Sequence, residues 1–151
     1  MMTLEEFKKK QSDKSRLLGL DLGSKRIGVS ICDEKQLIAT PFKTIIRSSA
    51  DELINEIKNL INENNIKGII VGNPLNMDGS SGRSAQSIKD TTNYIKNNID
   101  IPVCLWDERL STVGAFNLSS QLDVNVSKRE KKIDENAAAF ILQGAIDFLN
   151  N

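Results

Sequence analysis

Arg16-Leu17-Leu18-Gly19-Leu20-Asp21-Leu22-Gly23-Ser24-Lys25-Arg26-Ile27-Gly28-Val29-Ser30 sets a carboxylate at the end of one strand-like run, then a glycine, two cations and a second strand-like run. Two short β-patterned segments separated by a few residues that include glycine predict a hairpin, and the first is apolar enough to be a buried strand. Asp21 then falls in the middle of a domain. Burying an unpaired charge costs several kcal/mol or forces the group to neutralise. Asp21 is therefore either paired or a ligand.

Composition narrows the second possibility. The 151 residues carry 20 Lys+Arg against 20 Asp+Glu, so the chain does not coat nucleic acid by net positive charge, and basic patches have to be sought by position. No apolar run approaches the ~18 residues of a transmembrane helix, and no membrane partner is expected. Residues 1–14 are polar and lysine-bearing, with one helical turn over Leu4–Lys10, and they lack the apolar region of a secretory signal. The expected organisation is a polar N-terminal leader over 1–14 and a single domain over 15–151, in the cytoplasm. Cys32 and Cys104 belong to no C-x-x-C pattern and read as buried free thiols of a reducing compartment. Histidine is absent. That count removes Ser-His-Asp and Cys-His nucleophile systems, H-E-x-x-H zinc sites and histidine acid–base chemistry together. Catalysis is left to carboxylates, lysines or a metal held by oxygen.

Outward from the opening stretch, a first strand over Arg16–Asp21 and a second over Arg26–Cys32 lead through the turn Asp33-Glu34-Lys35 to a third over Gln36–Ile46, where Pro41 marks a bulge or an edge. Three strands on short turns make an antiparallel meander. Ser49 with Glu52 forms a capping box, and Leu53, Ile54, Ile57, Leu60 and Ile61 share one helical face. Ile66–Gly72, bounded by Asn64-Asn65 and Gly72-Asn73-Pro74, reads as a buried parallel strand. Residues 73–82 are dense in turn formers and predict a loop at that strand's carboxyl end, where open α/β sheets place ligands. A helix follows over Arg83–Asn97 with Ala85, Ile88 and Ile95 inward, then a last strand over Ile101–Trp106 ending on Asp107-Glu108-Arg109. A helix from Ser111 or Thr112 to Leu122 is weakened by Gly114, by about 1 kcal/mol relative to Ala. Asp123–Lys132 reads as a polar, basic linker, and the final helix as Asp134–Leu149, with Asp134, Ala138, Ile141 and Ala145 on one arc. The order β-β-β-α-β-α-β-α is that of a ribonuclease H-like α/β domain, a mixed five-stranded sheet with helices on both faces.

Asp21, Glu108 and Asp134 each stand at the end of an element. With the first strand central, the last parallel strand and the closing helix can bring them together. Converging carboxylates without imidazole or thiolate suit Mg²⁺ or Mn²⁺, and two such ions ~3.5–4 Å apart serve phosphodiester cleavage by activating water and stabilising the leaving oxygen. Each acid also has a simpler reading: Asp134 as a helix cap, Glu108 as the surface partner of Arg109, Asp21 as the start of a turn. Lys25, Arg26, Arg83, Arg109 and the cluster Lys128, Arg129, Lys131 and Lys132 flank the acids as phosphate contacts should, or form a solvated surface. Trp106 and Tyr94 read as core rather than base-stacking platforms.

Four segments resemble the YqgF/RuvX family in order and spacing. They are Leu20–Val29, Val71–Gly79, Asp107–Thr112, and Lys132-Ile133-Asp134 through Ala137-Ala138 to Ile141-Leu142-Gln143. The resemblance implies a ribonuclease H-like fold and a nuclease that processes the 5′ end of pre-16S ribosomal RNA. The family is also named as a Holliday junction resolvase, by likeness to another resolvase of that fold. Its three acids match Asp21, Glu108 and Asp134, the implied ligands of Mg²⁺ or Mn²⁺. Gly23, Lys25 and Arg26 match its first motif, Pro74, Asp78 and Gly79 its loop, and Arg109 its third motif. Two positions depart: Asn73 stands where an apolar residue is common and Gly114 where Glu is usual, and neither is an implied ligand. The implied partners are nucleic acid, precursor rRNA ahead of branched DNA, and the ribosome, with the chain a monomer or a homodimer. Two other classes compete: a non-catalytic RNA-binding or ribosome-assembly module, and an actin-like or sugar-kinase ATPase, which requires two such domains where 151 residues hold one.

Overall fold

A computed structural model describes residues 3–11, 14–73, 83–107 and 126–150, the backbone alone at 73, 83–85, 107 and 126–134. The elements are α1 (Leu4–Lys10), β1 (Arg16–Leu22), β2 (Arg26–Cys32), β3 (Ala39–Ile46), α2 (Ala50–Asn64), β4 (Ile66–Asn73), α3 (Arg83–Asn98), β5 (Val103–Asp107) and α4 (Val126–Leu149). One sheet holds all five strands in the order β3-β2-β1-β4-β5. Pairing is antiparallel through β1, β2 and β3 and parallel through β1, β4 and β5. The expected mixed sheet with a central first strand is present.

Alternation along β1 divides its residues between two cores. Leu18, Leu20 and Leu22 join Leu53 and Ile57 of α2 and Ile88 and Ile95 of α3. Leu17 joins Leu4 and Phe7 of α1 and Ile141, Leu142 and Ile146 of α4 on the opposite face. A strand covered on both sides needs apolar residues at consecutive positions, which is why β1 and β4 read as unbroken runs. The N-terminal residues expected as a leader thus supply a helix whose two apolar side chains are buried, with Thr3 capping it by accepting the Glu6 N–H at 3.2 Å. Cys32 and Cys104 are buried free thiols, and desolvation pushes both up to about 11.

Pro41 lies on the edge strand and at a bulge. The register slips between Val29, level with Lys43, and Ser30, level with Pro41, which leaves Phe42 as the extra residue. β3 starts at Ala39 rather than Gln36. Gln36 is held at φ 57° and its N–H donates to the Asp33 carbonyl at 3.0 Å, while the Asp33 carboxylate accepts the N–H groups of Leu37 and Ile38 at 2.8 and 2.9 Å. A turn closed by its own side chain takes up residues that a period-two pattern assigns to the strand. Ser49 caps α2 by accepting the Glu52 N–H at 3.1 Å, but the Glu52 carboxylate turns to the Ser48 hydroxyl, so only one arm of the capping box forms.

The last helix requires the largest correction. α4 begins at Val126, so residues 126–132 are helix and not linker, and Asp134 stands about two turns inside it rather than at its cap. Lys, Arg and Glu are good helix formers, and no Gly or Pro interrupts 126–134. Tyr94 is also corrected: it is exposed, with its hydroxyl donating to Asp51 at 2.9 Å. Trp106 packs in the core with its ring 5.7 Å from that of Phe148. The loop at 74–82, the helix at 111–122, residues 123–125 of the linker and the Ala85 side chain lie outside the described residues.

Candidate active site

Asp21 is half-buried on β1 and shares the face of Leu17 and Gly19, the one covered by α4. Three hydrogen bonds fix how α4 lies on that face. Ala39 on β3, level with Cys32, donates its N–H to the Gln143 side-chain oxygen at 2.9 Å. Ser30, level with Gly19, donates to the Ala138 carbonyl at 2.7 Å. Thr44 donates to the Glu135 carboxylate at 2.9 Å, and Thr44 is level with Gly28, which is level with Asp21. The helix therefore runs antiparallel to β1, and its positions 134 and 135 arrive on the row of Asp21. Gly19 permits this close seating. A Cβ there would lie 2.3 Å from Ser30 Oγ, 2.8 Å from Leu142 Cβ and 3.0 Å from the Ala138 carbonyl oxygen.

The parallel strands end at the same edge. Leu20 is level with Val71, Gly72 with Trp106, and Asn73 with Asp107. Glu108 and Arg109 directly follow β5 in the sequence and, like Asp78, lie outside the described residues. Arg83 opens α3, and Lys128, Arg129 and Lys132 lie in the first turns of α4, on the segment leading to Asp134.

Gly23, Lys25 and Arg26 make the β1–β2 turn. Gly23 donates its N–H to the Arg26 carbonyl at 2.9 Å, and a Cβ at Gly23 would meet that oxygen at 2.5 Å. Lys25 is exposed; Arg26 is half-buried and, two residues before Gly28, on the face of Asp21.

Arg47 escaped the reading of the sequence. Its Nη1 donates to the Gly23 carbonyl at 2.8 Å, its Nη2 to Thr91 Oγ1 at 3.2 Å and its backbone N–H to the Lys25 carbonyl at 2.9 Å. The cation-bearing turn is thereby tied to α3. No local pattern marks Arg47, because only the pairing of β3 with β2 carries it beneath the turn. Ser30 did leave a signal, a hydroxyl within an apolar strand that must find an acceptor when buried.

A hard divalent cation fits the donors present. Asp21 offers carboxylate oxygen beside a glycine on the neighbouring strand, histidine is absent, and both thiols are buried and held protonated. Among the described residues no three Asp, Glu, Cys or His side chains stand together, and of the three expected ligands only the Asp21 side chain is described.

The fold is similar to that of solved resolvases. Thermus thermophilus RuvC in complex with a Holliday junction substrate matches with a TM-score of 0.58 at 11% identity, over 91% of this chain and 97% of that one. The yeast mitochondrial Holliday junction resolvase Ydc2 matches at 0.50 and 14%, over 97% and 84%. At such identities the likeness shows the fold alone, a ribonuclease H-like one. The profile of the RuvX family, described as Holliday junction resolvase, matches residues 15–148, and the chain belongs to that family. A relative from Pelagibacter ubique is 72% identical over the whole of both chains, and one from Halothermothrix orenii is 43% identical over 135 residues, 89% of this chain and 96% of its own. Both bear, provisionally, the name pre-16S rRNA nuclease.

Proposed function

We propose that this protein is a divalent-metal-dependent nuclease that trims the 5′ end of precursor 16S ribosomal RNA in the cytoplasm, on or beside the assembling ribosome. The observation that carries the reading is the row that joins Asp21 to α4, since Thr44 draws Glu135, and with it position 134, to the level of the central carboxylate. The names of the relatives favour precursor RNA over branched DNA as the substrate.

Asp21, Glu108 and Asp134 would hold Mg²⁺ or Mn²⁺, their oxygens being the hard donors these ions prefer. The bound ions would supply Lewis-acid stabilisation of charge on the scissile phosphate and a water acidic enough to attack at neutral pH. The remaining roles belong to the chain. Lys25 and Arg26 meet the phosphate backbone from the β1–β2 turn, and Gly23 lets that turn close tightly. Arg83, at the start of α3, would join them, and Asp78 and Arg109 would be further substrate contacts. Lys128, Arg129 and Lys132, in the first turns of α4, would add phosphate contacts that position the substrate without reading its sequence.

Cleavage of precursor rRNA and of a four-way DNA junction, side by side in Mg²⁺ and in Mn²⁺, tests this reading. The wild type cuts the RNA, and Asp21→Asn lowers the rate about 1,000-fold, equivalent to several kcal/mol of lost transition-state stabilisation. Equal cleavage by the variant would place the chemistry elsewhere. RNA binding that persists in EDTA with no product in either metal would make the chain a binding module, and cleavage of the junction alone would make it a resolvase.

A further inference from the structure

The turn between β2 and β3 displays apolar side chains on a backbone that is held at nearly every point. Leu37 and Ile38 are 55% and 64% exposed, and Phe42, pushed out by the bulge, is 42% exposed. Mobility does not explain their exposure. Asp33 binds the Leu37 and Ile38 N–H groups, Gln143 donates to the Leu37 carbonyl at 3.1 Å, and Asn150 donates to the Gln36 carbonyl at 2.6 Å. The Gln36 side chain is itself buried, donating to the Ser15 carbonyl at 2.8 Å and to Gln11 at 3.1 Å. Beside the displayed pair lies a shallow groove of about 330 Å³ whose walls include Ile31, Ile38 and Phe42 and whose lining also includes Arg16, Asn64 and Asp33, the last with its carboxylate already taken by the Leu37 and Ile38 N–H groups. Among the described residues Arg16 Nε is buried without an acceptor, while Glu34, in the same turn as Leu37 and Ile38, is exposed. A preorganised apolar projection next to an apolar groove, with an acid on the projection and an under-satisfied cation in the groove, is a surface that carries its own complement. That is the requirement for a two-fold contact, in which each copy offers both halves.

We propose that this face binds a second copy of the chain. Leu37 of each copy enters the groove of the other and packs on the Ile38 that walls it, and Glu34 of each meets the other's Arg16. The turn at 33–38 lies at the opposite end of β2 from the turn at 23–25, so the two Asp21 ends point away from each other and both stay open to substrate. The proposal is independent of which nucleic acid the protein cuts. A protein partner of a different kind and a stacked RNA base are the alternatives. Three aliphatic side chains beside a single aromatic ring disfavour the base, which needs a planar platform.

Sedimentation velocity of the full chain between about 1 and 100 µM tests it, a range that spans the affinities of interfaces of modest size. The wild type is expected to pass from monomer to dimer with concentration. Ile38→Lys, at a residue already in water and outside the catalytic end, is expected to weaken dimerisation at least tenfold while leaving the thermal midpoint of the monomer and its cleavage rate unchanged. Arg16→Glu and Glu34→Arg are each expected to weaken it and the double exchange to restore it. A wild type that is monomeric throughout, or a dimer indifferent to Ile38→Lys, overturns the proposal, and failure of the double exchange to recover any affinity overturns the two-fold arrangement.

Discussion

Replacing Gly19 by alanine tests whether α4 rests on the central strand as closely as the geometry requires. The added methyl would stand 2.3 Å from Ser30 Oγ, 2.8 Å from Leu142 Cβ and 3.0 Å from the Ala138 carbonyl. Rotating the serine hydroxyl away relieves the first contact but breaks its 2.7 Å bond to Ala138, which is buried. A lost net hydrogen bond costs about 1 kcal/mol, and overpacking a core site by one methyl costs about 1–3 kcal/mol. The other contacts are with Cβ and backbone atoms, which cannot swing aside, so the helix must lift. The expected destabilisation is about 3 kcal/mol, which at a urea slope near 2 kcal/mol per M lowers the unfolding midpoint by about 1.5 M with the slope unchanged. Ser30→Ala, which removes the bond without adding bulk, is expected to cost only about 1 kcal/mol. Lifting α4 also moves position 134 away from the row of Asp21, so Gly19→Ala should lose cleavage rate at temperatures where it remains folded. A variant with the wild-type midpoint would refute the close seating, and one that is destabilised but fully active would separate the seating from the site.

Thr44→Val removes the bond that holds Glu135 on the row of Asp21; kcat should fall by about tenfold with KM unchanged, and Thr44→Ser should restore it, as a donor of the same reach does for a positioning residue. Arg47→Ala frees the Gly23 carbonyl and Thr91 together and should cost about 2 kcal/mol in thermal unfolding, with Arg47→Lys recovering little because one ammonium does not span both acceptors. Burial raises the Cys32 and Cys104 thiols from 9.0 to about 11 in the folded chain. A raised folded value means this stability is intact below about pH 9 and declines as the pH climbs toward 11, because the unfolded thiols ionise first. Alkaline unfolding of Cys104→Ala should therefore be less steep over that window, and a disulfide reagent at pH 8 should label both thiols only after denaturation.

The fold was legible wherever burial is two-sided or a turn is marked by its own residues. β1 and β4 announced themselves as unbroken apolar runs because both faces of the sheet's centre are covered, and Pro41 could stand only on an edge or at a bulge. The boundaries that shifted were those decided by distant partners. Gln36 left its strand because Asp33, Ser15, Gln11 and Asn150 all bind the turn, and three of those four are remote in sequence. The start of α4 was obscured because a cluster of cations signals water or phosphate and says nothing of backbone conformation. Within the candidate site, Asp21 was visible since a carboxylate in an apolar strand demands a reason. Gly19, Thr44, Glu135 and Arg47 were not, since each acts through a contact that only the tertiary fold makes. Residue types and order can nominate the acids of such a site, whereas the devices that hold one helix at the height of one strand exist only after strand pairing has set the rows.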